Sequence, residues 1–143
     1  LHLELNESVQ PVQLPPRRVP LPVKDKLLTE LERLSNMGII VKVDEPTDWI
    51  SSLVVTRKRN GNVRLCIDPK PLNSALKRNH YPLPTIDDVL PLLTDAKVFT
   101  VLDARKGFWR VQLDDQSSYL TTFSTPWGRY RWLRMPFGIT SAP

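Results

Sequence analysis

VFTVLDARKGFW, residues 98–109, is the stretch on which the fold turns. Its first half, Val98 to Leu102, is apolar and rich in β-branched residues, a pattern that predicts a central strand. That run delivers a single carboxylate, Asp103, and then breaks into the basic, glycine-containing turn Ala104-Arg105-Lys106-Gly107. A carboxylate at the end of a buried strand is costly unless it holds a metal or pairs with a cation. Asp103 is therefore the first candidate functional residue. A second piece, RMPFGITSAP (134–143), reads as an apolar loop interrupted by glycine and proline.

Outward from this pair, alternation and turn residues organise the rest of the chain. Leu53 to Arg57 and Val63 to Ile67 are β-prone segments on either side of Lys58-Arg59-Asn60-Gly61-Asn62, and Asn-Gly between such runs predicts a hairpin. Leu120 to Ser124 and Arg129 to Arg134 predict a second hairpin around Pro126-Trp127-Gly128. Val23, Leu27, Leu28, Leu31 and Leu34 fall at helical spacing, so a helix is expected from about Val23 to Met37, with Gly38 ending it. A short strand, Ile39 to Val43, follows. Thr85 is placed to cap a helix through about Leu93, with Asp87 and Asp88 in its first turn. Asp68 to Asn73 carries two prolines and is expected to be irregular, with Asp68 and Lys70 paired. Asp114 and Asp115 are expected in a solvated polar turn. Short helices mixed with antiparallel hairpins predict an α+β fold.

Residues 1–22 hold Pro11, Pro15, Pro16, Pro20 and Pro22 without a usable period, which reads as an extended, Pro-rich connector. No two of the 14 prolines are three apart, so the PxxP ligand spacing is excluded. With 143 residues, 41% hydrophobic and 24% charged, the chain has the composition of a soluble globular domain. No apolar run reaches the roughly 18–20 residues that span a bilayer, and no signal segment opens the chain, so no membrane partner is expected. Cys66 is the lone cysteine, which excludes an internal disulfide; it reads as a small core residue in a reducing compartment. His2 and His80 are too far apart and too lightly accompanied to suggest zinc.

The net charge of +5 is uneven. Residues 1–50 carry six Lys/Arg against eight Asp/Glu, whereas residues 51–143 carry fourteen against seven. The basic part is the part with the motifs, which suits a polyanionic partner; a solvated cationic surface is the competing reading.

Seven strings then carry a family resemblance: EPTDWISSLVV (45–55), RLCIDPKPLN (64–73), HYPLPTIDDVL (80–90), KVFTVLDARKGFW (97–109), LTTF (120–123), GRYRWLRMPFG (128–138) and SAP (141–143). Through them the chain resembles the reverse transcriptases of LTR retrotransposons, specifically the gypsy/Ty3-like group. The resemblance implies part of a right-hand polymerase fold: fingers at about 23–78 and 111–140, with the palm at about 79–110 and again from Ser141. It implies an intracellular enzyme, of the cytoplasm or a virus-like particle, cut from a Pol polyprotein. Protease would lie upstream, and the rest of the palm, thumb and ribonuclease H downstream. Its partners would be an RNA or DNA template-primer and deoxynucleoside triphosphates (dNTPs).

The chemistry implied is in-line nucleotidyl transfer with two divalent ions about 4 Å apart. Those ions would be Mg2+, with Mn2+ possible, and magnesium takes oxygen ligands. Asp103 corresponds to the family's bridging carboxylate and Ala104 to a carbonyl ligand. The second carboxylate pair, a YxDD or VDD hairpin, is not among these residues, so residues 1–143 alone are expected to be inactive. Arg57, Lys58, Arg59 and Arg64 surround a glycine-containing turn, from which several cations can converge on a triphosphate; a solvated hairpin tip is the bland alternative. By resemblance Arg64 and one of Arg57 or Lys58 hold the incoming dNTP, with Arg105 near it. Phe108 would lie beneath the sugar and crowd a 2′-hydroxyl, against the alternative of a core ring. Phe137 would pack near sugar and templating base, with Gly138 allowing close backbone approach. Arg59, Gly138 and Pro143 are the positions implied for nucleic-acid contact. Trp127, Tyr130 and Trp132 either stack on template or fill the core. A non-catalytic nucleic-acid-binding remnant, or a structural fragment seeking a partner chain, are the competing functions.

Overall fold

The computed structural model describes residues 1–57, 61–77, 82–104 and 106–140. Its framework begins with helix α1, Leu21–Asn36, which buries Leu27, Leu31 and Leu34 along one stripe. The helix stops at Gly38, whose φ of +65° is left-handed. The Gly38 N–H donates to the Ser35 carbonyl and the Ile39 N–H to the Leu34 carbonyl, both at 3.0 Å. This is the glycine-ended helix terminus that the sequence predicts.

From that turn the chain enters β1, Ile40–Val43, which pairs antiparallel with β5, Gly128–Trp132; β5 also pairs with β4, Phe123–Thr125, giving the order β1-β5-β4. A separate hairpin joins β2, Ser52–Arg57, to β3, Val63–Asp68, in the register Leu53↔Ile67, Val55↔Leu65, Arg57↔Val63. Its inner face, Leu53, Val63, Leu65 and Ile67, is buried. The Ser51 N–H donates to the Thr122 carbonyl at 2.8 Å and ties the hairpin to the sheet. Phe123, Tyr130 and Trp132 pack ring against ring at 5.9–6.1 Å, and Trp132 is fully buried. Of the two readings of these aromatics, the core holds for Trp132.

Residues 1–16 strap across the body without helix or strand, with a turn in which the Val9 N–H donates to the Asn6 carbonyl at 3.1 Å. The Leu3 N–H donates to Ser117 Oγ at 2.7 Å, the Asn6 N–H to the Ala75 carbonyl at 2.8 Å, and the Leu14 N–H to the Ile50 carbonyl at 2.8 Å. Leu3 is buried in the core. Backbone bonding to three separate elements fixes this Pro-rich segment, although prolines deny it a ladder of its own.

Four local expectations are corrected. Residues 70–75 are not irregular: α2, Lys70–Ala75, forms with Pro71 in its first turn, where a missing N–H costs nothing. Asp68 pairs with Arg17 at 3.0 Å instead of with Lys70, because α2 carries Lys70 away into solvent. Asp114 is solvated, its side chain 40% exposed, but it is no turn residue. It caps α4, Asp115–Leu120, its Oδ1 accepting the Ser117 N–H at 2.8 Å, so the second hairpin begins at Phe123 and not at Leu120. The helix after Thr85 is α3, Ile86–Val89, which tightens into a 3-10 turn over Leu90–Leu93, where Pro91 cannot donate to a longer α-helix. The predicted Thr85 cap is present, and Asp88 closes it into a capping box: Asp88 Oδ2 accepts the Thr85 N–H at 2.8 Å.

The largest correction concerns the opening stretch. Val98 to Leu102 is not a strand, and Asp103 does not end one: residues 96–104 have no regular structure, and Val101 and Leu102 are 93% and 89% exposed. Among the described residues no backbone group of 97–104 meets a hydrogen-bond partner. A strand exists only by its ladder, and β1 through β5 are committed to one another elsewhere. Propensity in this run is intact; the neighbour is missing.

Candidate functional site

The β-hairpin sends two kinds of side chain in opposite directions. Val63, Leu65 and Ile67 point into the core, so Arg64, Cys66 and Asp68 occupy the outer face. Arg64 stands opposite Thr56 there. Burial pushes the Cys66 thiol up, with the Arg64 charge and a Thr56 hydrogen bond opposing it, so this cysteine is not primed as a thiolate. Arg57 pairs with Val63 and therefore leaves the hairpin on the other face from Arg64. Arg64 and Arg57, one of the two alternatives expected to share a triphosphate with it, are thus on different faces. Lys58 and Arg59 lie outside the described residues, as do Arg105 and Pro143.

Onto the Arg64 face comes the loop after β5. The Arg64 guanidinium carbon is 5.7 Å from the centroid of the Phe137 ring. On Phe137 also rests Phe108, edge to face, with centroids 4.7 Å apart and planes at 64°. The structure thus brings together three of the predicted residues, Arg64, Phe108 and Phe137, from segments far apart in sequence. All three retain solvent access.

Backbone constraints hold the loop in that place. Gly138 has a φ of +105°, and a Cβ there would lie 3.2 Å from the Ile67 carbonyl oxygen and 3.3 Å from Pro69 Cδ. Glycine is required both by the dihedral and by the close approach to the end of β3. Asn73 of α2 completes the clamp: its Nδ2 donates to the Gly138 carbonyl at 2.8 Å, and its Oδ1 accepts the Thr140 N–H at 3.0 Å. Sequence reasoning missed Asn73, although it ends the string RLCIDPKPLN. An amide is the side chain that can satisfy one carbonyl and one N–H at once.

Phe108 sits in a 3-10 turn, Gly107–Arg110, entered through Lys106 at φ 57°, a left-handed conformation that costs a non-glycine residue roughly 1–2 kcal/mol. The Lys106 ammonium lies 5.0 Å from the Trp109 centroid, and Arg33 approaches the same ring at 6.0 Å. Both rings are half-buried, Trp109 packing against the core and Phe108 turned to Phe137.

Asp103 and Ala104 stand in the exposed stretch before this turn. No group of three or more His, Cys, Asp or Glu side chains gathers among the described residues. One carboxylate and one carbonyl fall well short of the six oxygens magnesium takes, so these residues do not by themselves fit a two-ion centre.

The sequence pattern described as "Reverse transcriptase (RNA-dependent DNA polymerase)" matches residues 56–143. Among curated relatives, an uncharacterised protein of Caenorhabditis elegans is 36% identical over 140 residues, covering 96% of this chain and 11% of that protein. The retrovirus-related Pol polyprotein from transposon 297 of Drosophila melanogaster is 32% identical over 117 residues, covering 80% of this chain and 11% of the polyprotein. The enzymatic polyprotein of cauliflower mosaic virus (strain Strasbourg) is 29% identical over 143 residues, or 99% of this chain and 21% of the polyprotein. Among solved structures, the prototype foamy virus protease-reverse transcriptase superposes with a TM-score of 0.78 at 20% identity, over 95% of this chain and 18% of that one. The chain therefore spans between about a tenth and a fifth of the length of these curated relatives. Among the described residues no helix is long and apolar enough to cross a membrane. The mixed helix-and-sheet architecture is part of the polymerase fold, and the chain belongs to the reverse transcriptase family.

Proposed function

We propose that these residues supply the fingers and the first part of the palm of an RNA-directed DNA polymerase. In this reading the fingers are about 23–78 and 111–140, and the palm is about 79–110 and from 141. The observation that carries the reading is the convergence of Arg64, Phe108 and Phe137. An exposed guanidinium beside two rings is suited to a nucleoside triphosphate: the cation takes phosphate oxygens, and an aromatic face or edge limits the sugar. Arg64 is held over Phe137, and Phe137 is fixed by Asn73 and Gly138, so the phosphate-binding group is oriented before the nucleotide arrives. Phe108 acts as the ring that excludes a 2′-hydroxyl.

In the whole polymerase, magnesium would supply charge neutralisation at the reacting phosphate. Asp103 is this chain's contribution there, and the other carboxylates must come from elsewhere in the polyprotein. Excess positive charge in residues 51–143 suits template-primer binding through backbone phosphates. An intracellular site, in the cytoplasm or a virus-like particle, and membership of the gypsy/Ty3-like group belong to the same reading.

Primer extension with magnesium and dNTPs tests it. Residues 1–143 alone are expected to give no extension. In the whole polymerase Asp103→Asn is expected to abolish extension, and Phe108→Ala mainly to raise ribonucleotide incorporation. Full activity of Asp103→Asn, or unchanged sugar selection by Phe108→Ala, would count against the assignment of that residue.

A further inference from the structure

Phe137 is the ring on which both Arg64 and Phe108 rest, the guanidinium carbon 5.7 Å from its centroid and the Phe108 ring 4.7 Å away. Its own neighbours in sequence hold it unequally. Pro136 is fully buried and Ile139 is 3% exposed, but Gly138, directly after the ring, is exposed at φ +105°. Glycine has more backbone freedom than any other residue, so a glycine beside a functional ring is a hinge unless something locks it.

Among the described residues neither the Gly138 carbonyl nor the Thr140 N–H meets a backbone partner. Both go to one side chain. Asn73 Nδ2 donates to the carbonyl at 2.8 Å, and Asn73 Oδ1 accepts the N–H at 3.0 Å and the Thr140 hydroxyl at 3.4 Å. Asn73 in turn stands on a fixed element: α2 buries Leu72 and Ala75 in the core, and the Asn73 N–H donates to the Pro69 carbonyl at 2.7 Å.

We propose that Asn73 is a positioning residue that governs phosphate grip and sugar discrimination together, by locking the glycine hinge behind Phe137. The inference rests on the polymerase reading of Arg64, Phe108 and Phe137, and adds to it a residue that needs no contact with the nucleotide. The two effects are tied because they share a support. When Phe137 swings, Arg64 loses the face that orients its guanidinium, and Phe108 loses the edge-to-face brace that holds it against a 2′-hydroxyl. Removing Arg64 or Phe108 affects one of the two functions; removing the lock affects both. Gly138 and Thr140 are exposed, so water satisfies the two backbone groups once the amide is gone. Orientation is lost and stability changes little.

Primer extension by the whole polymerase carrying Asn73→Ala tests this, with KM and kcat measured for deoxynucleotides and ribonucleotides. The KM for dNTP is expected to rise about fivefold or more, and discrimination against ribonucleotides to fall about threefold or more. A merely structural role would lower the folded, active fraction and leave KM and the sugar ratio where they were. Alanine suits a helix, and Asn73→Leu, which keeps the bulk but has neither donor nor acceptor, should give the same two shifts. In a Phe137→Ala background Asn73→Ala should change neither quantity further, since the ring through which it acts is gone. Arg64→Ala and Phe108→Ala serve as references. If they leave KM and sugar selection unchanged, the polymerase reading falls and this inference with it. If they act as expected while Asn73→Ala and Asn73→Leu change neither quantity, change only one, or add fully to Phe137→Ala, the inference alone is overturned.

Discussion

Gly138 and Asp114 are single residues on which larger features depend. Adding a Cβ at Gly138 meets two costs together, the φ of +105° and the 3.2 Å approach to the Ile67 carbonyl oxygen. Gly138→Ala is expected to destabilise the chain by about 1–3 kcal/mol. It should also loosen the loop that carries Phe137. Urea denaturation checks the first effect, and a midpoint unchanged from the parent chain would contradict it. Asp114 acts through a hydrogen bond in the opposite sense, as a stabilising cap. The Ser117 backbone N–H, with smaller contributions from the Ser117 hydroxyl and His2, holds its carboxyl down to about 2. A carboxyl whose value is lower folded than unfolded contributes stability above about 4, its unfolded value, and loses it as pH falls toward about 2. Asp114→Asn is expected to flatten the fall in stability between about pH 4 and pH 2. Parallel acid-unfolding curves for the two chains would show that the cap carries no such linkage.

At the level of elements, helix α1 illustrates what local sequence can decide. Its stripe of Leu27, Leu31 and Leu34 and its glycine stop involve residues within a few positions of each other, and the structure has both. Nothing lies within 4 Å of a Cβ at Gly38, so Gly38→Ala should cost only the left-handed dihedral, about 1 kcal/mol. Thermal melts that agree within error would mean that the terminus relaxes without loss. The hairpin of β2 and β3 was legible for the same local reason, alternation around Asn60-Gly61. Residues 98–102 were not, since β-branched residues state a preference and only a partner strand turns it into structure. The missed α2 has another cause: prolines that break a helix interior are harmless in its first turn. Within the candidate site, Arg64, Phe108 and Phe137 were readable through their strings. Asn73 was not, because its partners lie 65 and 67 residues away and no local pattern announces them. The separation of Arg57 from Arg64 follows from period-2 alternation and was open to sequence reasoning once the register was known.

For the molecule as a whole, the described residues divide into a packed body and an exposed arm. The body holds α1, both sheets, the strap of residues 1–16 and the Phe137 loop around one core. The arm, residues 82–104, exposes Leu83, Ile86, Leu92, Val98, Val101 and Leu102. Arg64, proposed to face the nucleotide, belongs to the body, and Asp103, proposed to face the metal, belongs to the arm. In the proposed reading, this division explains why Arg64, Phe108 and Phe137 already converge while Asp103 stands apart. It also makes the two arginines of the hairpin the sharpest test, because they differ chiefly in the face they occupy. The measurement is the KM for dNTP in primer extension by the whole polymerase carrying Arg64→Ala or Arg57→Ala. Loss of a charge-assisted phosphate contact is worth about 1.5–3 kcal/mol, or roughly ten- to a hundred-fold. Arg64→Ala is expected to raise KM by that factor while Arg57→Ala leaves it within about threefold of the parent. An unchanged KM for Arg64→Ala, or the larger effect at Arg57, would contradict the account.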